Sequence, residues 1–564
     1  MWKKLINSQS KTITSAAIII GALSFVSRIL GIFRDRILAA EFGAGDVLDV
    51  YYAAFRMPDL IFNLIVLGAI SAGLIPVFTG LIGTWRKNQA WKVVNSILNI
   101  LVLSLLVASV ILFLITPWLM KAMTPGFTGE KFELVVSLTR IMYLSPIFLA
   151  VSAILGSILQ SFKKFFIYSL APIFYNIGII IGALYFVDIW GINGLAYGVV
   201  LGAFMHMLIQ INPVINLGYK YQLGLNLKDK YVREIGKLMI PRTLTLVMNQ
   251  FNILIVTIIA STLAAGSLAI FNLANNLQGV PLGIFGISFA VAALPTLSHL
   301  AAKKKMTSFI ETISTTFRQI LFFVVPASVL IYVLRAQIVR IILGSGNFDW
   351  LDTRLTAASL AIFTLSLFAQ ALIPLLIRGF YALHNSKTPF YMGLASLLVN
   401  IVSLLFFRWT FSFVNWFSFG VVAILKVPDL LNVADMRILA LPFAITVASI
   451  FNLVLLLVSL RKYIGELDGW RIMSSTVRIL FASLGAGLCS YGILQLMHLY
   501  IKTQTFLGIS LQGIIAGGIG LFGYWLLGYL LNMEEMAIFV SSIRKKLFKL
   551  VKVEDSGIGE DIMG

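Results

Sequence analysis

The chain has 564 residues, 59% of them hydrophobic and only 12% charged, with a mean hydropathy of +0.96. Soluble domains run at about 25% charged residues, so this composition excludes a soluble protein and indicates an all-α polytopic membrane protein. The net charge of +20 invites a nucleic-acid reading, but the charge is distributed as membrane topology requires, and no nucleic acid is needed.

Apolar spans separated by short polar loops predict about fourteen helices, each long enough to cross about 30 Å of hydrocarbon. They fall near 14–40, 50–83, 93–119, 133–160, 165–188, 194–217, 237–263, 267–299, 312–334, 353–382, 389–410, 437–460, 473–500 and 506–532. The amino-terminal MWKKLINSQSK looks like the charged end of a signal peptide. The span after it is too long and too rich in arginine for a cleaved segment, so it is expected to remain as the first helix. Basic residues gather in every second loop: Arg86, Lys87 and Lys92; Lys163 and Lys164; Lys220, Lys228 and Lys230; Lys303, Lys304 and Lys305; Lys387; Arg461 and Lys462. The alternate loops carry Glu41, Asp46, Asp49, Glu130, Asp188, Asp349 and Asp352. The positive-inside rule makes the basic loops cytoplasmic, and an even helix count puts both termini inside, in agreement with the basic tail at Arg544, Lys545, Lys546 and Lys549.

A weak internal duplication runs at an offset of about 220 residues. Gly45 matches Gly266, Pro76 matches Pro295, Phe127 matches Phe348, and Asn176-Ile177 matches Asn400-Ile401, in order. Six helices per copy make the repeats parallel, which predicts two six-helix lobes in pseudo-twofold relation, 1–220 and 221–460, facing each other across a cleft. Two further helices occupy 461–532, and 533–564 forms a basic cytoplasmic tail.

The stretch from Ser27 to Phe78 concentrates charge where a membrane helix should have none: Arg28, Arg34, Asp35 and Arg36 in the first helix, Arg56 and Asp59 early in the second. An arginine at the bilayer centre costs about 2.5–3.5 kcal/mol on insertion scales, so these groups are expected to line a hydrated, protein-enclosed cavity. A cationic cavity holds an anion, and the planar guanidinium fork suits a phosphate or pyrophosphate. On an ideal helix Arg28, Asp35 and Arg36 fall within about 80–100° of one another while Arg34 points elsewhere, and Gly31 offers a place to bend. The competing reading is that Arg28, Asp35, Asp49, Arg56 and Asp59 form inter-helix ion pairs that lock one conformation. Asn249, Asn252, Asn272, Asn275, Asn276 and Asn400 are polar groups in apolar spans, a pattern that more often serves helix packing than ligand binding.

Enzyme signatures are missing: no GxxxxGK[ST] loop, no HExxH, no GxSxG. The lone Cys489 and four scattered histidines leave no cysteine cluster for a metal and no intrachain disulfide. No cofactor and no metal are expected.

Six segments together resemble the MurJ/MviN family of lipid II flippases, within the multidrug/oligosaccharide-lipid/polysaccharide exporter superfamily. They are SRILGIFRD (27–35), AEFGAGDVLDVYYAAFRMPDL (40–60), GAISAGLIPVF (68–78), PLGIFGISFAVAALPTLS (281–298), LGSGNFD (343–349) and RGFYALHNSKTP (378–389). The resemblance implies a fourteen-helix, two-lobed fold in the bacterial cytoplasmic membrane, with the last two helices forming a groove for a prenyl tail. It also implies a central cationic cavity for a pyrophosphate headgroup. Arg28 and Arg34 match the family's first-helix cavity arginines, and Asp49 its acidic residue at the start of the second helix. Two positions depart: Phe62 and Asn276 stand where the family usually has arginine, and Arg36 and Arg56 are candidate replacements. The acidic ligands of a sodium site described for some members are absent near Asn249 and Asn400. The candidate substrate-binding set is therefore Arg28, Arg34, Arg36, Asp49, Arg56, Asp59 and Asn276.

The expected function is to move an undecaprenyl-pyrophosphate-linked saccharide from the inner to the outer leaflet by alternating access. Expected partners are that lipid-linked saccharide, membrane lipids and other cell-wall synthesis proteins. Two readings stay open beside it: another lipid-linked glycan or a multidrug substrate on the same fold, and a membrane scaffold for cell-wall synthesis that does not transport.

Overall fold

A computed structural model of the chain describes residues 13–67, 74–84, 86–425, 435–501 and 505–541. The small-residue run at 68–73, the side chain of Asn249 and the basic tail beyond 541 lie outside the described residues. Helices of more than four residues are numbered in chain order. The first are α1 (Ile13–Phe42), α2 (Asp46–Ala54), α3 (Arg56–Ile61), α4 (Ile75–Gly83), α5 (Lys87–Met123), α6 (Gly129–Met142), α7 (Ser145–Ser161), α8 (Phe165–Ile181) and α9 (Asn193–Ile215). There follow α10 (Lys230–Ser261), α11 (Ser267–Pro281), α12 (Ser288–Ala302), α13 (Met306–Ile342), α14 (Trp350–Thr364), α15 (Leu367–Ala382) and α16 (Lys387–Thr410). The last are α17 (Trp416–Leu425), α18 (Ala440–Ile464), α19 (Gly469–Tyr500) and α20 (Phe506–Leu530).

Among the described residues, ten helical segments are long and apolar enough to cross a membrane. An eleventh results if α14 and α15, bent by 47°, form one span. The sequence predicts about fourteen, and the three that differ are the first, second and seventh. The first, α1, carries Arg28, Arg34, Asp35 and Arg36. The second is broken into α2, α3, a π-helical stretch at Phe62–Leu67, and α4. Within α10, the described residues 250–261 form a shorter apolar helix. The short apolar helix α17 is not among the predicted spans.

The chain separates into two compact units. One comprises Met1–Leu277, Ile342–Ser359 and Asn400–Ala444; the other comprises Gln278–Ile341, Leu360–Val399 and Ile445–Gly564.

In the first unit α1 packs along α8, and α8 with its π-helical extension Gly182–Phe186 packs along α9. Glycines set that second contact. A Cβ at Gly178 would overlap the backbone of Gly202, and one at Gly198 the backbone of Gly182. Without a hydrophobic drive between helices in lipid, such backbone approach maximises dispersion contact.

In the second unit α13 is the core. Phe309, Ile313, Phe317, Ile320, Leu321, Phe322 and Val324 are buried on it, against Leu372, Leu375 and Phe380 of α15 and Ala482 and Ala486 of α19. Tyr524 of α20 donates its hydroxyl to the Phe322 carbonyl at 2.7 Å. Gly487 of α19 faces Val329, and Gly520 of α20 faces Leu330, so the two carboxy-terminal helices dock on α13.

π-Helical stretches also carry the internal repeat. The π-helical stretches starting at Phe62 and Leu282 start 220 residues apart. An extra residue in a helical turn is costly and rare, and marks functional positions more often than packing ones.

The glycine contact gives a direct expectation. Gly198→Val forces two backbones apart and should destabilise the first unit by about 1–3 kcal/mol, the usual cost of overpacking. Thermal unfolding in detergent should show a lowered midpoint, whereas Gly21→Ala, whose added methyl would meet only open space, should leave it unchanged.

Candidate functional site

The site is built where α1 ends and α2 begins. Gly43 takes a left-handed backbone (φ +61°), and a side chain there would press on the Asn347 carbonyl at 2.8 Å. Asn347 returns the contact, its amide donating to the Ala40 carbonyl at 2.8 Å and its side-chain amide to the Glu41 carbonyl at 2.6 Å. Ala44 donates its N–H to Asp352 at 3.0 Å.

Asp49 is the centre of this closure. It is 2% exposed, and its Oδ1 accepts the Ala269 N–H at 3.0 Å while Oδ2 accepts the Gly266 N–H at 2.8 Å. Lys131 Nζ reaches Asp49 Oδ2 at 2.9 Å and Asp46 Oδ1 at 2.5 Å, 4.1 Å from the Phe127 ring centroid. The two backbone donors sit at the amino-terminal turn of α11, where unpaired N–H groups and the helix dipole favour an anion. Asp49 of α2 thereby caps α11.

The contacts at this end are reciprocal. A Cβ at Gly126 would overlap the Ser261 carbonyl, and one at Gly346 would overlap the Ala40 carbonyl. Position 346 lies 220 after 126, and 261 lies 221 after 40, so each repeat places the same glycine on the same helix end of the other.

Below this closure lie the arginines. Arg34 donates from Nε and Nη2 to Asp35 Oδ1, at 3.0 and 2.7 Å, and from Nη1 to Asn176 Oδ1 at 3.0 Å. Asn276 donates to the other oxygen of Asp35 at 2.9 Å. The ideal-helix expectation that Arg34 points away from Asp35, with Arg36 beside it, is therefore corrected. The guanidinium of Arg34 folds back along the helix to its own neighbour, and Arg36 turns to the Ile342 carbonyl at 3.3 Å. Arg56 donates to Thr257 at 2.9 Å and to Asn272 at 2.8 Å. Asp59, one turn on, is exposed, as are Arg28 and Asn276. Arg28 precedes Arg34 by six residues, about 9 Å along the helix.

The structure thus brings Arg34, Asp35 and Asn276 together, holds Arg56 on a second pair of partners, and places Asp49 at the closure instead of beside the arginines. Sequence reasoning did not single out Lys131, Asn176 or Thr257 as partners. The signal for Asn176 lay in the repeat, since its counterpart Asn400 also bonds across helices, to Asn252. Lys131 carried none, because one lysine in a polar loop looks like any other.

Removing the Asp49 carboxylate leaves Lys131 to Asp46 alone and strands two amide donors, a loss of about 1–3 kcal/mol for each unsatisfied buried group. In a Cys489→Ser background with a cysteine at position 276, Asp49→Ala should speed labelling by a membrane-impermeant maleimide applied from the side bearing Asp46 and Asp349. Unchanged labelling would show that Asp49 does not hold this end shut.

The family described as "Lipid II flippase MurJ" matches residues 38–511. A probable lipid II flippase MurJ of Vibrio cholerae is 30% identical over 421 residues, covering 72% of this chain and 79% of that protein. Among solved structures, a lipid II flippase MurJ in an inward closed conformation aligns with a TM-score of 0.71 at 24% identity, covering 91% of this chain and 98% of that one. An inward-facing multidrug-resistance MATE transporter aligns at 0.61 and 14% identity, covering 80% and 99%, a likeness of fold alone. By the extent of the family match and the Vibrio cholerae relative, the chain belongs to the MurJ lipid II flippase family.

Proposed function

We propose that this protein carries the lipid-linked peptidoglycan precursor, an undecaprenyl-pyrophosphate saccharide, from the inner to the outer leaflet of the bacterial cytoplasmic membrane by alternating access. The observation that carries the reading is the arginine group of α1 and α3, set among polar partners inside apolar helices under a closed end. A flippase makes and breaks no covalent bond, and its site needs only to receive and release a charged headgroup.

The finer architecture belongs to the same proposal. The first, second and seventh helices complete fourteen crossings, with lobes at 1–220 and 221–460, helices at 461–532 offering a groove to the prenyl tail, and the tail 533–564 in the cytoplasm with both termini. The 220-residue spacing of the π-helical stretches and the reciprocal glycine contacts support the lobes. The loop-charge alternation supports the orientation, which puts the Asp49 closure outside.

In this conformation Arg34 and Arg56 are held by the chain's own acceptors, so an entering pyrophosphate competes for their N–H groups. Asp35 sets the strength of that competition. Asn276 donates to Asp35 where most members of the family carry arginine, which leaves this site less cationic on the α11 side and puts more of the headgroup on Arg28, Arg34 and Arg56.

Rescue of a strain depleted of its own lipid II flippase tests the reading. Arg28→Ala and Arg34→Ala should fail to rescue at undiminished protein level, and Arg28→Lys should rescue incompletely, since lysine keeps the charge and loses the paired geometry. Full rescue by both alanine variants would end the headgroup assignment. Asn276→Ala should cost precursor binding only about 0.6 kcal/mol, the mean for a membrane hydrogen bond, measured as affinity in matched liposomes.

A further inference from the structure

The second compact unit contains a polar cluster that the transport reading does not use. Arg318 of α13 is 2% exposed, and its Nη1 donates to Glu535 at 2.5 Å and Glu534 at 3.0 Å. Ser475 donates to Glu535 at 2.8 Å, Arg471 to Glu534 at 2.9 Å, and Arg478 to the Asn532 carbonyl at 3.3 Å. Together with Trp470 and Ser474 these residues line a cavity of about 350 Å³.

Two donors remain after this bonding. Arg318 Nε is buried and has no hydrogen-bond partner. The cavity also borders the amino terminus of α19, a 32-residue helix whose first N–H groups lack intrahelical acceptors and whose dipole is positive at that end. Three arginines and two glutamates line the cavity, and Asp468 and Glu311 act on Arg471 from beside it.

Depth identifies what reaches it. At 1.5 Å per residue α19 is about 18 Å longer than a 30 Å hydrocarbon layer. Its charge-free stretch runs from 479 to 497, so 469–478 extends into the headgroup layer. There Trp470 is 85% exposed, in the setting where tryptophan anchors at a membrane interface. Arg471 and Arg478 are exposed beside it.

We propose that this cavity binds the phosphate of an anionic phospholipid headgroup, held by Arg471 and Arg478 at its mouth, with Trp470 against the glycerol region. Glu534 is the internal competitor. The hydrogen bond from Arg471 holds its carboxyl below the usual range, so it is ionised at neutral pH and occupies the guanidinium a phosphate would take. The site is independent of the flipping reading and stands or falls by binding alone.

The test uses the full-length protein in detergent, titrated with dioctanoyl-phosphatidylglycerol, dioctanoyl-phosphatidylcholine, farnesyl diphosphate and inorganic phosphate, with binding read by native mass spectrometry. Phosphatidylglycerol should bind more tightly than phosphatidylcholine. The R471Q/R478Q double variant should weaken it by about tenfold or more, the worth of one or two charged hydrogen bonds. R471K/R478K should lose less, and E534Q should bind more tightly than the parent, a gain that a purely structural role for Glu534 would not produce. Equal binding of the two phospholipids, or parental phosphatidylglycerol binding by R471Q/R478Q, would overturn the proposal. So would a loss confined to farnesyl diphosphate, which assigns the site to a prenyl diphosphate, or inorganic phosphate binding as tightly as the lipid, which assigns it to a free anion.

Discussion

The first unit is organised by one buried carboxylate. Asp49 of α2 caps α11 through two backbone N–H groups, with Lys131 supplying the countercharge. An ion this enclosed is tolerable only when its lone pairs are filled, so Asp49 and the start of α11 are bound to stay together while this end is closed. The flanking contacts at Gly43, Gly126, Gly266 and Gly346 all need a backbone where a side chain would collide. Those glycines bring the chain close enough for the carboxylate to reach the amides.

The same rule governs the arginines beneath. A guanidinium among apolar helices costs several kcal/mol unless its donors are satisfied, and Arg34 and Arg56 find Asp35, Asn176, Thr257 and Asn272. On the proposed function, ion-pair locking and headgroup binding, which begin as rival readings, are two uses of one set of donors. The bonds that satisfy these guanidinium groups are those the proposed pyrophosphate would have to displace.

In the second unit an ionic cluster also fixes the chain, at the far end of α20. Arg318 ties Glu534 and Glu535 to α13, and the small residues of α19 and α20 let both helices lie close to that core. Two helices outside the repeat are thereby fastened by packing along their length and by charge at one end.

The sequence by itself determined the class, the apolar spans from the third helix onward other than the seventh, and the family. Hydropathy and loop charge depend on composition over about twenty residues, and the repeat survives as spaced glycines, prolines and asparagines. It also marked Arg28, Arg34, Arg56 and Asp49, because charge in an apolar helix is conspicuous wherever it points. Tertiary structure alone decided which partners those charges take. Arg34 turns to Asp35 against the ideal-helix angle, since a long guanidinium stem reorients more cheaply than a buried charge goes unpaired. Asn276, conspicuous in sequence only for not being arginine, proves to be a donor to Asp35 across 241 residues. Lys131 and Thr257 were silent because their types are ordinary and only proximity gives them a role. Pro58, Pro76, Pro281 and Pro295 marked kinks in the second helix and its counterpart, but their π-helical form was hidden, as a π-helical turn is set by local packing strain and leaves no composition of its own.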